Sequence, residues 1–211
     1  MRILITAGPT REAIDAVRFI TNHSSGKMGF ALAEAAQAMG HEVVLIAGPV
    51  NLTPPLVYQY IPVVSAAEMA QAVHANAPSA QVIIMSAAVA DYRPAQPIRG
   101  KMKKKSGPLT LELERTEDIL QSLGAAKQPG QILLGFAAES ENLLAYAQDK
   151  LIRKNLDFIA ANDISVPDRG FGAEQNEITL LGRDGSCRVL PLQDKKVLAS
   201  ALLKLILPAG K

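Results

Sequence analysis

Short, unbroken apolar runs recur along this chain and constrain its fold more than any other feature. The first, residues 2–7 (RILITA), ends at Gly8-Pro9, a pattern typical of a strand that is buried on both faces of a parallel sheet. We expect it to be a central strand. Helical periodicity between the runs predicts an α/β fold with a Rossmann-like, doubly wound, mostly parallel sheet. Further strands are predicted at residues 43–46, 61–64, 82–86, 131–137 and 157–161.

End signals mark the helices of this predicted fold. Residues 26–39 carry apolar side chains at helical spacing before Gly40, and we interpret the two methionines among them as core residues. The capping box Ser65-x-x-Glu68 opens a helix that runs to residue 77. Two more helices are predicted to begin at residues 116 and 195, and a C-terminal hairpin of residues 178–181 and 187–190 finishes the sheet.

Residues 98–114 are predicted to form a two-stranded arm that protrudes from the main sheet. Residues 109–114 (LTLELE) alternate strictly and follow a Ser-Gly-Pro turn. Their leucines would be exposed on a monomer, so we expect a homodimer. The lysines on the first half are either a solvated edge that prevents aggregation or a mobile flap that brings positive charge to an anionic substrate. They are Lys101, Lys103, Lys104 and Lys105.

Composition excludes several classes of protein. The 211 residues, 48% of them hydrophobic, suit a single domain over residues 1–211. A formal charge of +2 argues against nucleic-acid binding by the whole surface. Cys187 is the single cysteine, which excludes an internal disulfide and a multi-cysteine zinc site, and we interpret it as a strand residue. There is no signal-peptide pattern and no apolar run long enough for a bilayer, so we expect a cytoplasmic protein.

A cluster of small polar residues precedes the first predicted helix. Ser24, Ser25 and Gly26 leave backbone N–H groups accessible, and the start of the helix directs its positive dipole end at the same point. This pattern predicts an anion-binding cradle, although a serine that only caps the helix is an equal alternative. Asn22 favours the cradle, because neither capping nor packing requires its amide.

Other polar groups follow the predicted strands, each with two interpretations. Asp91 follows the fourth strand and suits a nucleotide sugar or a metal, or else a turn. Lys150 and Lys154 share one helix face and either bracket a triphosphate or form a solvated helix end. Arg11 and Arg18 either face a ligand or pair with Glu12 and Asp15. A nicotinamide site is disfavoured, because the first strand lacks a G-x-G-x-x-G turn and the second lacks a terminal acid.

Several ordered motifs together carry a resemblance over nearly the whole chain. They are ITAGPTRE (5–12), NHSSGKMG (22–29), AAVADYR (87–93), KxxxKN (150–155) and NDIS (162–165). With these motifs the chain resembles the bacterial phosphopantothenoylcysteine synthetases. The resemblance implies that 4′-phosphopantothenate is joined to L-cysteine. It also implies that the carboxylate of phosphopantothenate attacks the α-phosphate of CTP with the help of Mg²⁺ (or Mn²⁺), and that cysteine then displaces CMP from the acyl-cytidylate.

The resemblance also implies roles for individual residues, and it leaves the metal ligands unassigned. Asn22 and Lys101 are the expected catalytic residues, with Asn22 at the acyl-cytidylate and Lys101 on the flap. The residues expected to bind the substrate and its phosphate are Ser24, Ser25, Gly26 and Ala88. The residues expected to bind CTP are Ala87, Asp91, Glu117, Asp118, Ile119, Leu120 and Phe136, with Lys101, Lys150 and Lys154 at its phosphates. The family often has proline where Glu117 stands, and Lys-Ile-Lys-Lys in the flap.

Such synthetases are often fused behind a flavin-dependent phosphopantothenoylcysteine decarboxylase, which would make that enzyme a fused or associated partner. The decarboxylase half is not within these 211 residues. Two other interpretations stay open from the sequence. One is an NAD(P)-dependent reductase, and the other is a noncatalytic binding module, which would be favoured if Asn22 and Lys101 lay far from a shared cleft.

Overall fold

The computed structural model describes residues 1–104, 106–139, 141–163, 165 and 172–208. Among the helices in these ranges, none is both long and apolar enough to cross a membrane. The helices are α1 (Lys27–Ala38), α2 (Ala66–Asn76), α3 (Ile119–Ala126), α4 (Leu143–Arg153) and α5 (Lys195–Ile206). The strands are β1 (Arg2–Ala7), β2 (Arg11–Ala13), β3 (Phe19–Thr21), β4 (Glu42–Ala47), β5 (Gln59–Pro62), β6 (Val82–Met85), β7 (Tyr92–Pro94), β8 (Leu113–Arg115), β9 (Ile132–Glu139), β10 (Phe158–Asp163), β11 (Gln175–Gly182) and β12 (Cys187–Asp194).

Eight of these strands form one sheet in the order β12-β11-β10-β9-β6-β1-β4-β5. The six from β5 to β10 are parallel, and in chain order they run 3-2-1-4-5-6, the Rossmann arrangement. The hairpin of β11 and β12 adds two antiparallel strands at one edge. The predicted fold class, the interior position of β1 and the C-terminal hairpin are confirmed. The strand order reverses direction between β1 and β6, where such sheets bind ligands.

Two apolar cores cover the two faces of the sheet. Alternate residues of β1 enter different cores, so that Ile3 and Ile5 share a core with residues of α1 and α5, while Leu4 shares the other core with residues of α2, α3 and α4. All three of these side chains have no exposed surface. Each such burial is worth about 1.5–3 kcal/mol, so the strand is held from both sides. The methionines of the first helical segment pack against the first core, as predicted.

Most element boundaries lie within two residues of the predicted ones, and the third strand shows why they differ. β5 ends at residue 62, not 64, because the capping box of α2 takes over the chain there. The Val64 amide donates to Glu68 Oε2 at 2.6 Å, and the Ser65 hydroxyl accepts from the Glu68 amide. The helix cap therefore competes with the sheet for these residues. Cys187 is the first residue of β12 and is exposed, consistent with a strand residue.

The predicted pairing within the arm is wrong. The two-stranded ribbon pairs β7 with β8, and residues 98–104 are not a strand. Their backbone instead packs on the loop before β3, where the Ile98 amide donates to the Ile14 carbonyl and the Met102 amide donates to Asp15 Oδ2, both at 3.0 Å. These contacts satisfy the groups that a strand partner would have used. Lys105 lies outside the described residues.

Candidate functional site

A cleft of about 630 Å³ opens at the carboxyl ends of β1 and β6, where the strand order reverses. Several segments that are distant in sequence line it, including the loop before α1, the loop after β6 and the start of α5. The structure thus brings together all but one of the residues to which the resemblance assigns a role, and the roles themselves stay predictions. The lining residues of that set are Asn22, Ser24, Ser25, Gly26, Ala87, Ala88, Asp91, Glu117, Asp118, Ile119, Leu120, Phe136, Lys150 and Lys154.

The backbone at the start of α1 forms the floor of the predicted anion cradle. Gly26 precedes the helix in a left-handed conformation (φ 77°), and no side chain caps the helix at this end. Ser24 Oγ instead accepts a hydrogen bond from the Gly26 amide at 3.3 Å. The capping alternative for the serines is therefore not what the structure adopts. The first amides of α1 keep their capacity to bind an anion in the cleft.

Close packing brings this helix end to the strand ends. A Cβ atom on Gly29 would lie 2.5 Å from Ala7 Cβ and 2.7 Å from Ser86 Oγ, so a larger residue would push α1 away from the sheet. Ser86 Oγ donates to the Thr6 carbonyl at 2.7 Å, and Thr6 Oγ1 accepts from the Ala87 amide at 3.1 Å. The buried hydroxyl of Thr6 thus fixes the cleft wall, a role that its position inside an apolar run does not reveal.

Asn22 is held in place by the loop that follows β6. Its Nδ2 donates to the Ala88 carbonyl at 2.9 Å. The Ala88 amide in turn donates to the Gly8 carbonyl at 2.9 Å, and Thr10 Oγ1 accepts from the Ala90 amide at 2.9 Å. One N–H of the Asn22 amide is therefore used for positioning, which leaves its second N–H and its oxygen for a ligand.

The two predicted phosphate lysines line the cleft, and each is paired with a carboxylate. Lys150 Nζ lies 2.5 Å from Glu139 Oε1. Lys154 Nζ lies 2.8 Å from Asp118 Oδ2, and the Lys154 side chain is only 14% exposed. A solvated helix end would leave the Lys154 side chain far more exposed, and the contact of both lysines with a triphosphate stays a prediction.

The loop before α3 carries two carboxylates with lowered pKa values. Burial raises the pKa of Asp118. Hydrogen bonds from Lys154 and the Gln121 amide, together with the charges of Lys154 and Arg153, lower it by more, so the net shift is a decrease. For Glu117, the hydrogen bond from His74 lowers the pKa, burial opposes this, and the Ser122 hydroxyl lowers it again. His74 is exposed, and its Nε2 lies 2.6 Å from Glu117 Oε1. Both carboxylates are therefore ionised and engaged.

A divalent metal fits this cleft only together with a phosphorylated ligand. Within the described ranges, no three His, Cys, Asp or Glu side chains are grouped to hold a metal ion. Glu117 and Asp118 are taken up by ion pairs, whereas Asp91 is exposed on the cleft wall. Mg²⁺ commonly binds through one or two carboxylates and the substrate's phosphates. Asp91 is the cleft carboxylate that fits this pattern.

Lys101 is the exception among the predicted site residues. It is exposed and is not among the described residues that line the cleft. Its neighbour Gly100 accepts a hydrogen bond from the Ala16 amide at 3.4 Å. The condition that Asn22 and Lys101 share one cleft is therefore not met in this conformation, and the role of Lys101 stays a prediction.

The two arginines near β2 differ in their pairing. Arg18 pairs with Asp15 at 2.6 Å, as one alternative predicted. Arg11 does not pair with Glu12, and its guanidinium lies 4.6 Å from the centre of the Phe19 ring. Glu12 accepts instead from the Ala66 amide at 2.8 Å. Neither arginine is among the described residues that line the cleft.

The cleft also contains residues that the sequence did not single out. Asn176 on β11 and Lys195 at the start of α5 line it next to Asn162, which belongs to the NDIS motif. Ile164 of that motif lies outside the described residues. No local signal marks Asn176 or Lys195, because the hairpin and α5 bring them to the cleft only when the sheet is complete.

Comparisons with known proteins agree with this picture. Residues 1–209 match the family described as DNA/pantothenate metabolism flavoprotein C-terminal domain. The coenzyme A biosynthesis bifunctional protein CoaBC of Bacillus subtilis is 50% identical over 210 residues, which are 99% of this chain and 52% of that protein. The chain thus spans about half the length of the curated relatives that it matches.

Solved structures show the same architecture. The crystal structure of the C-terminal domain of a coenzyme A biosynthesis bifunctional protein CoaBC has a TM-score of 0.83 at 47% identity, covering 97% of this chain and 93% of that one. A Cab2 mutant in complex with phosphopantothenate-cysteine has a TM-score of 0.80 at 16% identity, covering 97% of this chain and 84% of that one. At that identity the second likeness establishes the fold alone.

Proposed function

The chain belongs to the DNA/pantothenate metabolism flavoprotein C-terminal domain family, and from that premise we propose that it is a CTP-dependent phosphopantothenate–cysteine ligase. The observation that carries the proposal is one cleft that holds an anion cradle, the fixed amide of Asn22 and two lysines. The proposed reaction joins 4′-phosphopantothenate to L-cysteine. The names of the relatives, which refer to coenzyme A biosynthesis, support it.

The first step brings two anions together. A carboxylate oxygen of phosphopantothenate attacks the α-phosphorus of CTP, the bond from that phosphorus to the bridging oxygen breaks, and pyrophosphate leaves. Lys150 and Lys154 offset the repulsion between carboxylate and triphosphate, and binding both in one cleft lowers the entropic part of the barrier. Their carboxylate partners, Glu139 and Asp118, keep the ammonium groups oriented until the nucleotide arrives.

The second step forms the amide. The cysteine amine attacks the acyl carbon, CMP leaves with the electrons of the acyl–oxygen bond, and the nitrogen loses its proton. Asn22 suits this step because its second N–H can donate to the acyl-cytidylate while its oxygen accepts from the incoming amine. The bond to the Ala88 carbonyl holds the side chain ready for both contacts. We assign the substrate phosphate to Ser24, Ser25 and Gly26, as the resemblance implies.

The nucleotide would occupy the other half of the cleft. The wall of Ala87, the loop that opens α3 and the ring of Phe136 form this half. The Thr116 hydroxyl donates to the Ala90 carbonyl at 2.6 Å, which ties that loop to the segment leading to Asp91. When bound, Mg²⁺ would neutralise part of the triphosphate charge, with Asp91 as its protein contact. The preference for CTP rests on the family resemblance.

A homodimer and a decarboxylase partner complete the proposal. Leu109, Leu111 and Leu113 are 60%, 37% and 44% exposed, an apolar strip that a second copy can cover. Light scattering at micromolar concentration is expected to give the mass of a dimer, and a monomer would contradict this part. The relatives are called bifunctional and are about twice as long as this chain, which supports a fused or associated flavin-dependent decarboxylase.

Pyrophosphate release tests the activity directly. The protein is given phosphopantothenate and each nucleoside triphosphate, with and without cysteine, and pyrophosphate, CMP and amide are measured. We expect release that requires phosphopantothenate and is fastest with CTP, and amide formation that also requires cysteine. Equal turnover with ATP would remove the CTP preference alone. No phosphopantothenate-dependent release with any nucleotide would overturn the ligase, and a titration with NADPH would then test the reductase.

A further inference from the structure

Two lysines at the Gly26 end of the cleft have no role in the proposed reaction. Lys27 is the first residue of α1 and Lys195 is the first residue of α5, and both line the cleft. Lys195 is only 5% exposed. A buried lysine that faces a cleft is costly unless a negative charge or several acceptors stabilise it.

One short segment supplies partners to both lysines. Lys27 Nζ lies 2.5 Å from Glu174 Oε1 and 3.1 Å from the Gly172 carbonyl, and Lys195 Nζ donates to the Ala173 carbonyl at 2.6 Å. Burial lowers the pKa of Lys195, the charge of Lys27 lowers it further, and Glu174 acts against both. The Glu174 side chain is 77% exposed, so it is a weakly held counter-ion for two mutually repelling cations.

A buried amide stands on the same wall. Asn176 is 5% exposed and lines the cleft, and within the described ranges its Oδ1 has no hydrogen-bond partner. An unpaired buried polar atom is unfavourable in the free protein, which indicates that a ligand or water completes it. Because a carboxamide can rotate to exchange its oxygen and its NH₂ group, Asn176 can present donors to an oxyanion.

We propose that Lys27, Lys195 and Asn176 form a phosphate subsite beside the start of α1, from which the ligand's phosphate displaces Glu174. This inference rests on the proposed function and deepens it. The uncapped end of α1 adds backbone donors and positive potential to the same place. The phosphate belongs either to phosphopantothenate or to the triphosphate tail of CTP, since the same donors bind both.

Calorimetric binding measurements test the subsite with matched variants. Lys27→Met and Lys195→Met remove the charges while keeping most of the side-chain volume. Lys196→Met is the control, because Lys196 is 76% exposed, pairs with Glu34 at 3.2 Å and is not among the described lining residues. We expect the two cleft variants to raise the Kd of one phosphate ligand at least tenfold, and the control to change it less than twofold. If folded Lys27→Met binds phosphopantothenate and CTP like the wild type, the proposal is overturned, whatever the folding of Lys195→Met.

Dephosphorylated and shortened ligands identify the source of the phosphate. A loss for phosphopantothenate but not for pantothenate assigns the subsite to the substrate, and a loss for CTP that exceeds the loss for CMP assigns it to the nucleotide tail. Glu174→Gln is expected to tighten the affected ligand at least threefold, because the competing counter-ion is gone. Weaker binding in Glu174→Gln would contradict displacement and indicate a structural ion pair.

The outcomes separate this inference from the proposed function. If the wild type binds one of the two phosphate ligands through Lys27 but releases no pyrophosphate, the ligase fails and the subsite stands. If pyrophosphate is released and Lys27→Met binds and turns over like the wild type, the ligase stands and the subsite fails.

Discussion

Alanine at Gly26 is expected to damage the anion cradle in a way that can be measured against a matched position. Gly26 has φ 77° and Gly40, after α1, has φ 82°. A left-handed conformation costs an L-residue about 1–2 kcal/mol, and this cost applies to both positions. The comparison therefore separates the backbone effect from everything else at Gly26.

The difference between the two positions lies in their surroundings. A Cβ atom on Gly26 would lie 2.8 Å from Val50 Cγ1 and 3.3 Å from Gly8 Cα, whereas nothing lies within 4 Å of one on Gly40. Relieving such a contact costs about 1–3 kcal/mol. We expect Gly40→Ala to lose about 1 kcal/mol and Gly26→Ala about 3 kcal/mol, or about 3 °C and 9 °C in Tm at about 3 °C per kcal/mol.

Thermal unfolding by circular dichroism measures the stability difference, and calorimetry measures phosphopantothenate binding at a temperature where both variants are folded. We expect Gly26→Ala to weaken binding at least tenfold, because the shift of Val50 or Gly8 moves the first amides of α1. Gly40→Ala is expected to bind like the wild type. Equal Tm values for the two variants would refute the steric argument, and unchanged affinity in Gly26→Ala would refute the cradle.

Three further predictions follow from the site and its supports. Lys101→Ala is expected to change the unfolding free energy by less than about 0.5 kcal/mol. It should lower turnover at least tenfold, which corresponds to about 1.4 kcal/mol of transition-state stabilisation. An equal loss of turnover in Lys104→Ala would contradict a specific role for Lys101. Asn22→Asp is expected to release some pyrophosphate but to form little amide, so that acyl-cytidylate accumulates. Mass spectrometry of the quenched reaction would detect this intermediate. Equal loss of both steps would mean that Asn22 only supports the loop. The Val17 amide lowers the pKa of the Asp15 carboxyl far below its usual range, burial opposes this, and Arg18 and the Met102 amide lower it further. The stabilising effect of ionised Asp15 is therefore fully present above the unfolded-state pKa of about 3.9 and is lost as the pH falls toward the folded-state pKa. In urea unfolding, Asp15→Asn should therefore lose more stability at pH 7 than at pH 3. An equal loss of stability at both pH values would contradict the assignment.

The main sheet could be predicted because its signals are local. The interior strands β1, β4 and β6 are apolar runs that are almost fully buried, and β1 ends at the predicted residue. The start of α2 was predictable for the same reason, since Ser65 and Glu68 form their capping box within one turn. The three residues of the proposed anion cradle could also be singled out, because Ser24, Ser25 and Gly26 are adjacent in sequence.

The arm could not be predicted because its contacts are not local. Alternation in residues 109–114 indicates a strand but does not identify the partner, which is β7. The backbone of residues 98–102 is bound by the loop around Asp15, whose side chain accepts hydrogen bonds from Val17, Arg18 and Met102. A carboxylate that gathers three amides from two distant segments leaves no signal in either of them.

The ion pairs of the cleft stabilise its lysines and, under the proposed function, would also favour polyphosphate ligands. Lys150, Lys154 and Lys27 are each paired with a carboxylate, and the side chains of those carboxylates are 17%, 43% and 77% exposed, respectively. A ligand with one negative charge replaces one such pair by another and gains little. A triphosphate carries enough negative charge to pair with several lysines. Each carboxylate that it displaces returns to water, and this is easiest for the carboxylate whose side chain is most exposed. The exposure of its counter-ion therefore predicts which lysine changes partner first, and on this measure it is Lys27.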